Sequence, residues 1–157
     1  QKYAGLEHPE VPDTADDGVV VHTGAVSYKT EVRKGKHGYV ADEPISAGGT
    51  GLGPSPYNYL MAALGSCTSM TLRMYADRKE WPLTGITVRL NHEKIHATDC
   101  EACETEFGKI DFIEREIELE GDLTDEQRIR LLEIADRCPV HRTLHGEVNV
   151  VTRLTDA

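Results

Sequence analysis

The longest patterned segment of the chain predicts a single helix from Ser55 to about Lys79. Ser55 can cap the first turn, and Pro56 occupies the first helical position, where its missing N–H costs no hydrogen bond. Mostly apolar residues recur at helical spacing and predict a core-facing stripe: Leu60, Leu64, Cys67, Thr71 and Met74. A helix this long and hydrophobic in a chain of 157 residues suggests burial against a second subunit.

Alternating patterns on both sides of this helix predict antiparallel strands. Before it, the alternation over residues 26–32 leads through the glycine-flanked turn 35–38 into a second strand, which predicts a hairpin. After it, residues 85–94 and 109–121 predict two long strands, and a break in the alternation near Ile113 predicts a bulge.

The C-terminal part predicts a second helix and a closing strand. Thr124 and Gln127 have capping-box spacing, and Pro139 should end the helix. Its inward positions should be Leu131, Leu132, Ala135 and Cys138. Residues 147–154 alternate valines and predict the last strand. The order of elements indicates an α+β fold with antiparallel sheet and helices to one side.

Composition favours one soluble globular domain over residues 19–157, preceded by a loosely attached arm over residues 1–18. The formal net charge of −10 is a poor match for nucleic acid or an anionic membrane. No segment approaches the roughly 20 apolar residues of a membrane span. The polar N-terminal residues show no signal-peptide pattern, so we expect a cytoplasmic protein.

The four cysteines are too few for a disulfide scaffold and suit redox chemistry or metal binding. Cys67 and Cys138 could act as a pair, in which one thiolate is oxidised and the other resolves it as a disulfide. If Pro139 starts a short helix, Cys138 at its N-terminal end gains thiolate stabilisation, to which His141 could add. The alternative is that both are buried core cysteines.

The other two cysteines lie between the two long predicted strands. His92, His96, Cys100 and Cys103 supply two nitrogens and two sulfurs, a ligand set that suits tetrahedral zinc. A single Cys-x-x-Cys is a weak signal, and the segment could equally be a polar hairpin end or a reversible disulfide.

Two segments carry a resemblance to a known family. Residues 53–67 read GPSPYNYLMAALGSC and residues 138–144 read CPVHRTL. They resemble the OsmC/Ohr family of osmotically inducible and organic hydroperoxide resistance proteins, and the order of elements agrees from about Val19 onward. The resemblance implies an intertwined homodimer with antiparallel sheets, a long central helix and active sites at the subunit interface.

The resemblance also implies an activity. In the family the first cysteine attacks the peroxide and the second resolves the sulfenic acid, so Cys67 would be peroxidatic and Cys138 resolving. The implied function is thiol-dependent reduction of organic hydroperoxides in oxidative-stress defence. A dithiol, possibly of the lipoyl type, would restore the thiols, and no cofactor is required.

The chain departs from the family pattern where the thiolate is held. Family peroxidases use an arginine on the N-terminal hairpin and a glutamate at the start of the long helix. At these places this chain has Lys36, with Arg33 as an alternative, and Tyr57 or Asn58.

The Asp-Glu-Pro element at residues 42–44 resembles a less characterised branch of the family. The alternative function is therefore a non-catalytic protein of the same fold. It would bind metal or ligand through the Cys100/Cys103 hairpin or through the interface cavity.

Overall fold

The computed structural model describes residues 18–101 and 103–155. The predicted arm, apart from Gly18, lies outside these residues. The chain divides into two compact units, one running to Leu60 and the other starting at Met61. The single domain over residues 19–157 stays a prediction, since compact units of this size can be parts of one domain.

The first unit contains a three-stranded antiparallel sheet in the order β1-β2-β3. Its strands are β1 (Val20–Thr23), β2 (Thr30–Lys34) and β3 (His37–Ala41). The predicted hairpin is confirmed as β2–β3, although β2 starts at Thr30 because Val26 lies in an exposed connection. The sequence pattern missed β1.

The buried carboxylate of Asp42 organises the glycine-rich segment that follows the sheet. It accepts hydrogen bonds from the backbone N–H groups of Glu43 at 2.8 Å and of Thr50 and Leu52 at 3.2 Å each. The Thr50 hydroxyl also donates to it. A side chain at Gly49 would overlap the Glu43 carbonyl, so the chain needs glycine there. The N–H groups of this segment are thus turned inward to a carboxylate of the chain itself.

Asp42 makes the stability of the protein vary with pH in the acid range. Hydrogen bonding, chiefly from the Thr50 hydroxyl, lowers the pKa of Asp42 from 3.8 to about 2 against the opposing effect of burial. A depressed carboxyl pKa stabilises the fold above pH 3.8, and this stabilisation is lost as the pH falls toward 2. We expect the urea unfolding midpoint to fall over that interval.

Two variants check this assignment by the same urea titration at a series of pH values. Asp42→Asn should be less stable at pH 7 and should show a shallower acid dependence. Thr50→Val, which removes the main donor, should have an intermediate slope. A wild-type slope in Asp42→Asn would show that other carboxyls cause the acid dependence.

The second unit begins within the long helix and packs two helices and a ribbon around it. Its elements are α1 (Pro56–Arg78), β4 (Leu83–His96), β5 (Lys109–Gly121), α2 (Asp125–Ala135) and α3 (Pro139–His145). Short 3₁₀ turns occupy Ile45–Ala47 in the first unit and Ala97–Asp99 in the second. No helix in the described residues is long and apolar enough to cross a membrane.

The predicted long helix and the two long strands are confirmed, but the predicted bulge is misplaced. β4 and β5 pair antiparallel without interruption from Gly85 with Glu120 to His96 with Lys109. The register shift lies between Leu83 and Gly85 instead of near Ile113. The break in the sequence pattern at Ile113 reflects only a change in which face is apolar.

The core of the second unit lies between α1, α2 and the base of the ribbon. Its buried residues are Leu72, Ala76, Leu83, Leu123, Leu131, Ile134 and Ala135. The predicted stripe of α1 is therefore displaced by about one residue: Thr68 is buried, Cys67 is half-buried and Met74 is 60% exposed. α1 has apolar residues on two adjacent stripes, and packing against the rest of the fold determines which stripe is buried.

α2 begins as predicted and ends earlier. Thr124 and Gln127 form a reciprocal capping box, and the helix ends at Ala135. Pro139 does not end α2 but opens α3, which places Cys138 at the N-cap of α3. This is the short helix considered above, and it separates Cys138 from the α2 stripe.

The predicted closing strand is wrong for the described chain. Residues 147–155 form no strand, and Val150 and Leu154 are 80% and 99% exposed. A strand needs a neighbour that satisfies its N–H and C=O groups, and the described residues supply none to this segment.

Two adjacent leucines on α2 give a matched test of the core. Leu131 is fully buried and Leu132 is 62% exposed, although the sequence pattern placed both inward. Leu131→Ala should lower the free energy of unfolding by about 2–5 kcal/mol, because it leaves a cavity. Leu132→Ala should change it by less than about 0.5 kcal/mol. Equal losses in denaturant titrations would contradict this packing.

Candidate active site around two free cysteines

Cys67 and Cys138 are the free cysteines among the described residues. Cys67 is half-buried on α1, and Cys138 is fully buried at the start of α3. The sulfur of Cys138 lies 3.7 Å from the hydroxyl oxygen of Thr68, the residue after Cys67. The fold therefore brings Cys138 against the turn of α1 that carries Cys67.

Local backbone geometry explains the position of Cys138. Pro139 has no N–H to leave unsatisfied and suits the first position of α3. Cys138 keeps an extended backbone, and its sulfur accepts a hydrogen bond from the N–H of His141 at 3.3 Å. This hydrogen bond fixes the Cys138 sulfur at the first turn of α3.

Arg115 of β5 connects three elements around Cys138. Its guanidinium donates to the Thr68 hydroxyl oxygen at 3.0 Å, to the Ala135 carbonyl at 3.3 Å and to the Asp136 carboxylate at 2.7 Å. The Arg115 side chain is only 12% exposed. A guanidinium held this way keeps its positive charge and a fixed orientation beside the cysteine.

The hydroxyl of Thr68 lies between the Arg115 guanidinium and the Cys138 sulfur and can connect them by hydrogen bonds. Its one proton has two acceptors, the Leu64 carbonyl at 2.8 Å and the Cys138 sulfur at 3.7 Å. Because Arg115 donates to the hydroxyl oxygen, the proton is directed to one of these acceptors. When Cys138 loses its proton, a turn of the hydroxyl toward sulfur stabilises the thiolate.

A second basic side chain lies at the same helix. Burial, and then electrostatic interactions with Arg115 and His145, lower the pKa of His141 below 6.5, against the opposing effect of Asp136. The His141 imidazole is therefore neutral at pH 7 and can accept a proton.

The sequence analysis missed Arg115 and Thr68. The signal for Arg115 was present, because Ile113, Arg115, Ile117 and Leu119 share one face of the alternating strand. An arginine in an inward position of such a strand needs hydrogen-bond partners, which here come from α1 and from the end of α2.

Lys36 and Arg33 lie in the first unit. Arg33 belongs to β2 and Lys36 to the turn between β2 and β3. Cys67 and Cys138 belong to the second unit. A role for either cation in activating the Cys67 thiolate stays a prediction.

The predicted zinc ligands are arranged differently from a zinc site. Cys100 and Cys103 form a disulfide with each other. His92 pairs with Asp111 at 2.8 Å, and His96 is exposed at the end of β4. Within residues 18–101 and 103–155, no group of three or more His, Cys, Asp or Glu side chains could hold a metal. Zinc at this hairpin stays a prediction, and it would require the disulfide to be reduced first.

A groove of about 270 Å³, lined by both polar and apolar groups, runs between α1 and β4. It is lined by Met61, Ala62, Gly65, Ser66, Ser69, Ile86, Val88 and Leu90. A side chain at Gly65 would meet Leu90 at 2.7 Å, so glycine lets helix and strand approach closely. The groove borders the helical turn that contains Cys67 and can accept an alkyl or aryl group.

The protein is thus an α+β protein with two free thiols, of which Cys67 lies on the long helix and Cys138 lies against it. The family model described as OsmC-like protein matches residues 49–153. The chain therefore belongs to the OsmC-like family, as the resemblance implied.

Solved structures show the same fold at low sequence identity. The OsmC-like protein from Mycoplasma pneumoniae has a TM-score of 0.61 at 20% identity, over 83% of this chain and 88% of that one. The organic hydroperoxide resistance protein OsmC from Legionella pneumophila has a TM-score of 0.59 at 17% identity, over 82% and 90%. For OhrB of Bacillus subtilis, an organic hydroperoxide resistance protein, the TM-score is 0.56 at 17% identity, over 84% and 92%. No curated protein matches the chain.

Proposed function

We propose that the protein reduces organic hydroperoxides to alcohols with Cys67 and Cys138 as its redox pair, in defence against oxidative stress. One observation carries the proposal: the buried free thiol of Cys138 touches the residue that follows the half-buried free thiol of Cys67. Membership of the OsmC-like family and the names of the Legionella and Bacillus relatives support it.

The exposure of the two sulfurs supports their assignment. A bulky hydroperoxide can approach half-buried Cys67 but not fully buried Cys138. Cys138 is held against the turn of α1 that carries Cys67, where its thiolate form can attack a sulfenic acid at Cys67. Cys67 is thus peroxidatic and Cys138 resolving.

The proposed catalytic cycle has three steps. The Cys67 thiolate attacks the outer peroxide oxygen, the O–O bond breaks, and the alkoxide takes a proton to leave as alcohol. The Cys138 thiolate then attacks the Cys67 sulfenic acid, forming the disulfide and releasing water with one added proton. A dithiol, of which a lipoyl group is one kind, reduces the disulfide and becomes oxidised. No step calls for a metal or an organic cofactor.

Turnover measurements with two peroxides test this function. With dihydrolipoamide as reductant, cumene hydroperoxide should be consumed faster than hydrogen peroxide, because its aryl group can bury in the groove next to α1. A protein that consumes neither peroxide above the rate of dihydrolipoamide alone would contradict the proposal. Equal rates would contradict the role of the groove.

The active form we propose is a cytoplasmic homodimer. The segment 147–155 exposes valines and pairs with no strand of the described residues, which suits pairing with a second subunit. Light scattering should give about twice the chain mass of 17.4 kDa, and a chain ending at Gly146 should shift toward monomer. A wild-type monomer at micromolar concentration would contradict the dimer.

A further inference from the structure

The tip of the β4–β5 ribbon carries a second sulfur pair that the proposed function does not use. Beyond the last ribbon pair, His96 with Lys109, the described residues 97–101 and 103–108 belong to the connection between the two strands. Cys100 is half-buried, Cys103 is exposed, and the two are joined as a disulfide. An incoming thiolate can therefore reach Cys103 from solvent.

This disulfide is not what closes the loop. The N–H of Ala97 donates to the Gly108 carbonyl at 2.8 Å, and Ala97 is buried. The crosslink joins residues only three apart in sequence, so it restricts the unfolded chain very little. A solvent-exposed crosslink with little structural role is of the labile, exchangeable kind.

The surface around the pair suits a protein partner more than a small anionic thiol. Phe107 is 83% exposed, although an aromatic ring is normally buried. The same loop carries four exposed acidic residues, Asp99, Glu101, Glu104 and Glu106. Residues 97–108 contain no Lys or Arg. An exposed aromatic side chain on an acidic loop matches a partner surface that has an apolar hollow and basic side chains beside it.

We propose that Cys100 and Cys103 form a second redox site, which exchanges two electrons with the dithiol of a partner protein docked on Phe107. The partner's thiolate attacks the Cys103 sulfur, the Cys100–Cys103 bond breaks, and Cys100 leaves as a thiolate. The partner's second thiolate then attacks the mixed disulfide and releases the Cys103 thiolate. The partner ends as a disulfide, and its two thiol protons pass to Cys100 and Cys103.

The site is separate from the first cysteine pair within one chain. Arg115, which marks the Cys138 cluster, pairs with Leu90, six residues along β4 from His96. At about 3.3 Å per residue this separation is roughly 20 Å. The second site can therefore exist whether or not the peroxidase function does.

Cys67→Ser protein provides the test, because it cannot form a Cys67–Cys138 disulfide. Oxidised protein is mixed with thioredoxin, thioredoxin reductase and NADPH, and the NADPH consumed per chain is counted. We expect one NADPH per chain, with reduction of Cys100–Cys103 seen by mass spectrometry. Glutathione at equal thiol concentration should react at least about tenfold more slowly, because it is anionic.

Variants at exposed positions separate docking from thiol chemistry. Phe107→Ser should slow reduction by thioredoxin about tenfold and leave reduction by dithiothreitol unchanged. Leu132→Ser, which removes an exposed apolar side chain from α2, should change neither rate.

Three results would overturn the proposal. The first is an intact disulfide with no NADPH consumed. The second is Phe107→Ser protein that thioredoxin reduces at the wild-type rate. The third is protein purified without added zinc that carries one zinc per chain on reduced Cys100 and Cys103.

Discussion

Cys67→Ser protein is expected to reduce no organic hydroperoxide, with turnover lowered by at least about a thousandfold to the background rate of the reductant. Serine has nearly the shape of cysteine, but its hydroxyl is not ionised at neutral pH and does not form a stable oxidised intermediate. Peroxide consumption in the presence of a dithiol measures the effect. Because Cys67 is only half-buried, the substitution should leave the fold intact.

Cys138→Ser is the matched control, since it removes the other thiol of the pair. This variant should undergo one oxidation per chain and stop with a sulfenic acid at Cys67, which dimedone traps. Full turnover by Cys67→Ser protein would refute the assignment of the peroxidatic cysteine. Sulfenic acid at Cys138 would indicate that the roles are reversed.

Arg115→Met should slow closure of the Cys67–Cys138 disulfide about tenfold to a hundredfold, since a charge-assisted hydrogen bond contributes about 1.5–3 kcal/mol. The substitution removes the cation that donates to the Thr68 hydroxyl oxygen and so leaves the hydroxyl proton for the Leu64 carbonyl or the Cys138 sulfur. The first oxidation at Cys67 should keep its rate. Stopped-flow measurement of sulfenic acid formation and of disulfide closure separates the two steps.

Two further arginine variants show whether Arg115 acts through charge or through packing. Arg115→Lys should recover part of the closure rate, because it restores the charge but not all three hydrogen bonds of the guanidinium. Arg89→Met removes an arginine of the same ribbon that pairs with exposed Glu118, and this variant should close the disulfide at the wild-type rate. Equal slowing of both steps in Arg115→Met would indicate a structural role alone.

The parts of the fold that depend on local pattern could be predicted from sequence. Ser55 and Pro56 mark the start of α1, and the spacing of Thr124 and Gln127 marks the start of α2. Strand alternation predicted β5 over the residues that form it, 109–121. These signals lie within a few residues of the structure they specify, so no tertiary information was needed.

Other features depend on contacts between distant segments. The choice between two apolar stripes on α1 depends on α2, which is why Cys67 is half-buried instead of core-facing. The strand predicted over residues 147–154 requires a pairing partner that the described chain does not supply.

In the candidate site, too, features set by local sequence could be predicted, and features set by contacts between distant residues could not. Pro139 allowed the prediction that Cys138 stands at a helix N-terminus, because proline at the first helical position is a local signal. The contact of Arg115 with Thr68 joins residues 47 apart in sequence. Alternation in β5 can show that Arg115 points inward, but only the folded chain shows which side chain it meets.

A single-turnover experiment tests the central claim most directly. Reduced protein that carries Cys100→Ser and Cys103→Ser, so that only one cysteine pair remains, receives one equivalent of cumene hydroperoxide. The account predicts rapid loss of both thiols, one equivalent of cumyl alcohol and a Cys67–Cys138 disulfide in the peptide map. Unreacted Cys67 and Cys138 after the peroxide has been held with the protein would contradict it.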